Sequence, residues 1–235
     1  MKAIILAGGK GTRLRTVVND RPKPMAIVNG KPFLEYLIIN LKRKGIKDII
    51  LSVGFMYENI KEFFGDGKNM GVKITYSVES TALGTGGAII NCKELLDSGE
   101  DVIVLNGDTY FDIDFERLIE SHKNKSVMLS MALREVEDIT RYGAVEFDKN
   151  NYVTNFIEKD KESISKYING GIYIINSKLL DEYKNESVIS FENDIIPYII
   201  KKSKINVELF NNYFIDIGIP NDYYKFCRDI EEVKI

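Results

Sequence analysis

Cysteine is nearly absent from this 235-residue sequence: Cys92 and Cys227 stand far apart and outside any CxxC or metal-ligand spacing. That usage excludes a disulfide framework and a zinc site, and fits a reducing cytoplasm. A basic stripe is also lacking. The 32 lysines and arginines are scattered among 35 acids for a formal net charge of −3, so nucleic acid is not an expected partner and any anionic ligand must be met by local charge. No long apolar run opens the chain. The stretch MKAIILAGG passes into glycines after a few apolar residues, too soon for a signal segment or a membrane span, and reads as a buried strand. Nor is there a repeat, a low-complexity tract or a Pro/Gly-rich linker. Residues 1–235 are therefore expected to form a single domain with no room for a separate C-terminal one.

What is present is a hydrophobic content of 44%, enough for one large core. Short β-rich runs alternate with helical patterns, the signature of an α/β fold with a Rossmann-like, mixed but mainly parallel sheet flanked by helices. Strands are predicted at Ala3–Leu6, Asp48–Val53, Lys73–Ser77 and Val102–Leu105, each mostly apolar as for a sheet covered on both faces. In Phe33–Lys44, Leu34, Leu37, Ile38 and Leu41 recur at helical spacing, and Gly45 supplies a stop. Glu58–Phe64, Thr85–Leu96 and Phe115–His122 read as further helices. The second half predicts strands at Ser126–Leu133, Ala144–Phe147, Tyr152–Ile157, Gly171–Ile175, Asn206–Phe210 and Tyr213–Ile217. A turn is expected at Asn150-Asn151, a helix over Phe191–Lys201, and a last helix opened by Pro220. The single histidine, His122, sits in a polar helix end beside Lys123 and is expected at the surface.

The strongest chemical signal is Leu6-Ala7-Gly8-Gly9-Lys10-Gly11-Thr12-Arg13-Leu14, a glycine cluster directly after a strand. Glycines let backbone N–H groups approach phosphate oxygens, and Lys10 and Arg13 bring positive charge. The P-loop and dinucleotide fingerprints both fail: Thr12 follows Gly11 where Lys-Ser/Thr is needed, and the third glycine of the dinucleotide motif is missing. Taken alone, the loop is equally a tight strand-to-helix turn. Downstream, Arg21-Pro22-Lys23-Pro24-Met25 sets a lysine between two prolines, which fixes the local backbone and preorganises Lys23. By itself such a segment is also an ordinary surface loop.

Together these residues resemble the sugar-1-phosphate nucleotidyltransferase family, whose opening signature is a GGxGTRL loop followed by a PKP element. Leu83-Gly84-Thr85-Gly86-Gly87-Ala88, Asn106-Gly107-Asp108, Tyr142-Gly143, Phe156-Ile157-Glu158-Lys159, Asn169-Gly170-Gly171-Ile172-Tyr173 and Phe214-Ile215-Asp216-Ile217-Gly218 follow in the family's order. The resemblance implies the nucleotidyltransferase fold, with residues 1–125 as the nucleotide-binding half and 126–235 as the sugar-phosphate-binding half. It implies in-line attack of a sugar phosphate oxygen on the α-phosphorus of a nucleoside triphosphate, with pyrophosphate leaving. Leu6, Ala7, Gly8, Gly9, Gly11, Thr12 and Arg13 would hold the triphosphate, joined by Gly84 and Thr85. Arg13 would steady pyrophosphate and Lys23 the α-phosphate. Asp108 and Asp216 would bind Mg2+, a hard cation suited to oxygen ligands. Asn106, Gly143, Glu158, Lys159 and Asn169 match sugar-phosphate-binding positions. For Asp112 the expected role is a turn, and for Asp114 a helix cap.

Glu79, five residues before Gly84, lies where relatives read the base edge. A carboxylate there accepts from guanine N1–H and its 2-amino group together, whereas uracil and thymine offer one N–H; this points to GTP. The LGTGGA loop and the closing FIDIGIPNDY most resemble bacterial D-glycero-α-D-manno-heptose 1-phosphate guanylyltransferases. Mannose-1-phosphate guanylyltransferases are near relatives, and UTP, dTTP or CTP enzymes are alternatives. The resemblance also implies a dimer or larger homo-oligomer, and without a C-terminal β-helix no second activity is expected. Two readings of other classes stand beside it. Asp112-Ile113-Asp114 is the DxD of glycosyltransferases, though that leaves Lys23 and Glu158-Lys159 without roles, and a non-catalytic nucleotide sensor would not need Lys23, Asp108 and Asp216 together.

Overall fold

The computed structural model describes residues 1–9, 11–14, 17–18, 20–158, 165–183 and 188–232. In chain order the elements are β1 (Lys2–Leu6), β2 (Ile27–Val28), β3 (Lys31–Pro32), α1 (Phe33–Arg43), β4 (Asp48–Val53), α2 (Tyr57–Phe64), β5 (Lys73–Val78), α3 (Gly84–Asn91) and β6 (Asp101–Asn106). There follow β7 (Thr109–Phe111), α4 (Phe115–Lys125), β8 (Leu129–Glu135), β9 (Gly143–Phe147), β10 (Val153–Glu158), β11 (Tyr167–Asn176), α5 (Ile196–Lys202), β12 (Asn206–Leu209), β13 (Phe214–Asp216) and α6 (Pro220–Glu232). Among the described residues no helix is long and apolar enough to cross a membrane.

The chain folds as two compact units, each assembled from separate stretches of sequence. The first takes Met1–Ala82, Leu105–Asp112 and Tyr213–Ile235; the second takes Leu83–Val104 and Ile113–Asn212. In the first, β1, β4 and β5 run parallel, with Ile4 opposite Ile50 and Ile50 opposite Thr75. The end of β6 lies beside β1, where Gly107 N–H donates to Leu6 C=O at 3.0 Å. β13 pairs antiparallel with β7, setting Asp216 opposite Thr109. The apolar stripe of α1 is buried as its spacing predicts, and Gly45 at φ 81° ends the helix. Phe226 of α6, fully buried, meets the rings of Phe33 and Tyr36 edge-on at 5.1 and 5.7 Å and that of Tyr110 tilted at 5.6 Å, contacts that fix this helix on the core.

In the second unit β11 lies between β8 and β9, both antiparallel to it, and the β8 side continues into β12, which is parallel to β8. β10 returns antiparallel beside β9. The strand predicted from Gly171 starts earlier, at Tyr167, because the register breaks between Asn169 and Tyr173. Gly171 at φ 69° sits in that irregularity, a bulge whose glycines hide the strand from a pattern search. The strand predicted from Ser126 starts at Leu129 instead, since Ser126 takes φ 53° to close α4. The predicted helix over Phe191–Lys201 is a π-type turn, Phe191–Ile195, followed by α5. Pro197 has no N–H to give the carbonyl four residues back, so the regular ladder cannot run through it.

His122 is not at the surface. It is 3% exposed, its Nδ1 2.8 Å from Ser130 Oγ and its Nε2 3.5 Å from Asp101 Oδ1. Phe115, Leu118 and His122 share one helix face at i, i+3 and i+7, so periodicity carries the imidazole inward although Lys123 beside it is exposed. Burial, the larger influence, holds the imidazole below its ordinary 6.5 against the opposing pull of Asp101, with Lys123 adding to the depression. The unfolded chain therefore takes up a proton that the folded chain refuses. This contribution is whole above about pH 6.5 and is lost as pH falls below it. Thermal melts on acidification should fall more steeply for the parent than for His122→Gln, which cannot titrate; parallel slopes would refute the assignment.

Candidate active site

The glycine loop leaves the carboxyl end of β1, where Ala7 N–H donates to Ser52 C=O at 2.7 Å. Gly11 takes φ 58°, and a Cβ there would come 2.6 Å from Lys23 Cβ, so only glycine lets the loop pass over the lysine. A short helical turn, Thr12–Leu14, follows. Leu14 is buried and anchors it, while Arg13 is exposed. Gly8 faces Glu79: a Cβ on Gly8 would lie 2.6 Å from Glu79 Oε1.

Lys23 opens a second short turn, with Pro22 held at φ −66° and Pro24 buried behind it. The Lys23 side chain is 10% exposed, and Nζ donates to Asp108 Oδ2 at 2.5 Å and stands 3.8 Å from Asp216 Oδ1. Asp108 follows β6, Asp216 ends β13, and Ile217 N–H donates to Asp108 C=O at 2.9 Å. Thr109 Oγ1 donates to Asp108 Oδ1 at 3.3 Å, and Gly218 N–H to Asp216 Oδ1 at 2.6 Å. Burial pushes the Asp108 carboxyl up, and the Lys23 ammonium with its hydrogen bond outweighs this, so the group stays below the usual carboxylate range. The structure thus brings Lys23, Asp108 and Asp216 together, as the sequence order alone could only suggest. Asn106, just upstream, keeps a buried Oδ1 without a hydrogen-bond partner among the described residues.

In the second unit, Gly84 takes φ 75°, and a Cβ there would come 2.5 Å from Ile189 O. Gly86 and Gly87 donate to that same carbonyl at 2.9 and 3.1 Å. Thr85 Oγ1 donates to Glu192 Oε2 at 2.5 Å and accepts from Phe191 N–H at 2.8 Å. Asn169 accepts from Gly171 N–H at 3.1 Å through Oδ1 and donates through Nδ2 to Tyr173 OH, which reaches Glu192 Oε1 at 3.5 Å. Glu192 joins Thr85 to Asn169, yet no motif marks it, because its contacts lie far off in sequence. Gly143 pairs with Glu158 across β9 and β10. Lys10 and Lys159 lie outside the described residues, as do the side chains of Thr12 and Glu158.

Compared with known proteins, residues 2–233 match the nucleotidyl transferase family. The chain belongs to that family. It is 44% identical over 96% of its length to D-glycero-alpha-D-manno-heptose 1-phosphate guanylyltransferase of Campylobacter jejuni, covering 98% of that protein. Identity is 39% to the enzyme so named from Aneurinibacillus thermoaerophilus, over 98% of this chain and 99% of that one. Among solved structures it is similar to HddC of Yersinia pseudotuberculosis complexed with GMP-PN, with a TM-score of 0.86 and 37% identity, covering 97% of this chain and 99% of that one.

For a nucleotidyl transferase the chemical demand is relief of charge between two phosphorylated substrates. Two properties of the Lys23, Asp108 and Asp216 group bear on that demand. Its ammonium is a cation held almost out of water, and its two carboxylates converge on one positive charge. The two carboxylates are hard oxygen donors of the kind a divalent ion takes beside phosphates and water, and in this structure Lys23 Nζ lies between them. Among the described residues no cluster of three or more His, Cys, Asp or Glu could hold a metal. The Asp112 and Asp114 pair is engaged separately. Asp112 Oδ1 stands 3.8 Å from Lys44 Nζ, and Asp114 accepts from Arg117 N–H at 3.1 Å as the N-cap of α4.

Proposed function

We propose that this nucleotidyl transferase moves the guanylyl group of GTP onto D-glycero-α-D-manno-heptose 1-phosphate. The observation that carries the reading is 44% identity along nearly the whole of both chains to an enzyme named for that reaction. A phosphate oxygen of the sugar 1-phosphate forms a bond to the α-phosphorus of GTP, the bond from that phosphorus to the bridging oxygen breaks, and pyrophosphate departs. The backbone of Leu6, Ala7, Gly8, Gly9, Gly11 and Thr12 and the Arg13 side chain hold the triphosphate, and Arg13 meets the charge that builds on pyrophosphate. Lys23 neutralises the α-phosphate oxygens as the attacking oxygen closes in. Gly84 and Thr85 contribute to the nucleotide through their backbone, since the Thr85 hydroxyl already serves Glu192 and Phe191. Glu79 accepts from the guanine edge. Asn106, Gly143, Glu158, Lys159 and Asn169 hold the sugar phosphate. Asp108 and Asp216 are the residues to hold magnesium, which when bound would withdraw charge from the α-phosphate and the leaving group.

The test is pyrophosphate release with magnesium, pairing GTP, CTP, UTP, dTTP and ATP with the manno-heptose, mannose and glucose 1-phosphates. GTP with the heptose phosphate should give the highest kcat/KM. Release that is best with mannose 1-phosphate would reassign the sugar, and a preferred nucleotide other than GTP would overturn the role of Glu79.

A further inference from the structure

We infer that Ser52 positions the Glu79 carboxylate for base selection, so that guanine is read by a pair of residues of which only Glu79 touches it. The inference rests on the guanine reading above. From Ile49 to Val53 every residue of β4 is buried, and Ser52 among them is fully enclosed. A hydroxyl in such a place is unfavourable unless it is hydrogen-bonded, and alanine would fill nearly the same volume without that need. The partner of this hydroxyl is Glu79: Ser52 Oγ donates to Glu79 Oε1 at 3.2 Å.

The same residue also fixes the neighbouring backbone. Ser52 C=O accepts from Ala7 N–H at 2.7 Å, and Glu79 N–H donates to Val53 C=O at 2.8 Å. The glycine loop and the carboxylate are therefore both tied to the end of β4. Gly8 leaves room for the carboxylate, since a Cβ there would lie 2.6 Å from Glu79 Oε1. A glutamate on its flexible stem loses rotamer freedom whenever it binds a ligand. Held by the Ser52 hydroxyl, this one has been ordered in advance. Guanine presents an N1–H and a 2-amino group as a fork, hypoxanthine presents the N1–H alone, and adenine presents neither in that form. Only the fork requires both carboxylate oxygens at a set angle, so the Ser52 hydrogen bond bears on the 2-amino group above all.

The experiment measures kcat/KM for GTP and for ITP in the parent, Glu79→Gln and Ser52→Ala, with a thermal melt of each. Ser52→Ala should lower kcat/KM for GTP about tenfold, the weight of one hydrogen bond to a charged group, through KM and with a much smaller loss for ITP. Glu79→Gln should shrink the GTP to ITP ratio at least as far. A ratio that falls in Glu79→Gln but is parental in Ser52→Ala overturns the positioning role and leaves the guanine reading intact. Ratios unchanged in both variants, or a parent that does not distinguish GTP from ITP, overturn both. Equal losses for the two nucleotides with a lowered melting temperature would make Ser52 merely structural, and a ratio that falls in Ser52→Ala alone would mean the hydroxyl acts through another group; either result overturns the inference.

Discussion

Asp108→Asn is expected to lower kcat by about a hundredfold to a thousandfold, the range seen when a group that stabilises developing charge is removed. The amide keeps the size of the carboxyl and its contact with Lys23 Nζ, now 2.5 Å from an acid oxygen, but it carries no charge to offset that ammonium or a bound dication. Lys23 is then left with Asp216, whose Oδ1 is 3.8 Å away. The Asp108 side chain is 36% exposed, so solvent takes over part of the lost interaction and the fold should survive, with a modest change in melting temperature. The magnesium concentration for half-maximal turnover should rise as well, because one of two hard donors has been weakened. Pyrophosphate release across a magnesium titration measures both effects. Turnover within a few-fold of the parent would remove Asp108 from the reaction.

Gly107→Ala should do comparable damage by a different route. A Cβ at Gly107 would lie 2.4 Å from Leu6 O, 3.0 Å from Leu6 C and 3.3 Å from Ala7 Cα, all backbone atoms that cannot swing aside. Either the end of β6 withdraws, breaking the Gly107 N–H to Leu6 C=O bond of 3.0 Å, or Leu6 and Ala7 move and carry Gly8 with them. The first displaces Asp108 and the second displaces the phosphate loop. Overpacking of this kind costs about 1–3 kcal/mol, and a displacement of about 1 Å at reacting groups costs about a hundredfold in rate. A melting curve and the pyrophosphate assay together decide the matter. If both are parental, the strand end yields without consequence and the close approach is unimportant.

Where the chain's local pattern carries the physics, the sequence is readable. Asp48–Val53 is mostly apolar and forms β4 over those very residues. Asp114 caps α4 because its side chain needs a partner only three residues away. The glycine loop and the two aspartates are likewise legible as types of residue after strands, and Lys23 as a lysine fixed between two prolines. What could not be read is whatever depends on pairing between distant segments. His122 looks exposed beside Lys123 until Ser130 and Asp101 are brought against it. Glu192 looks like a polar helix start until Thr85 and Tyr173 meet it. The assembly of each unit from separated stretches is invisible to periodicity for the same reason, since hydrophobic pattern records which face is buried and not what buries it.

The placement of β13 has a consequence for biosynthesis. Asp216 joins Lys23 and Asp108 only when Tyr213–Ile235 docks with segments that left the ribosome much earlier. At roughly 5–20 residues per second, the growing polypeptide exposes its phosphate loop and first aspartate for many seconds before the second exists. On the roles proposed above, competence would arrive with the final strand, since a translation product halted before residue 213 lacks Asp216 and with it one of the two proposed magnesium ligands.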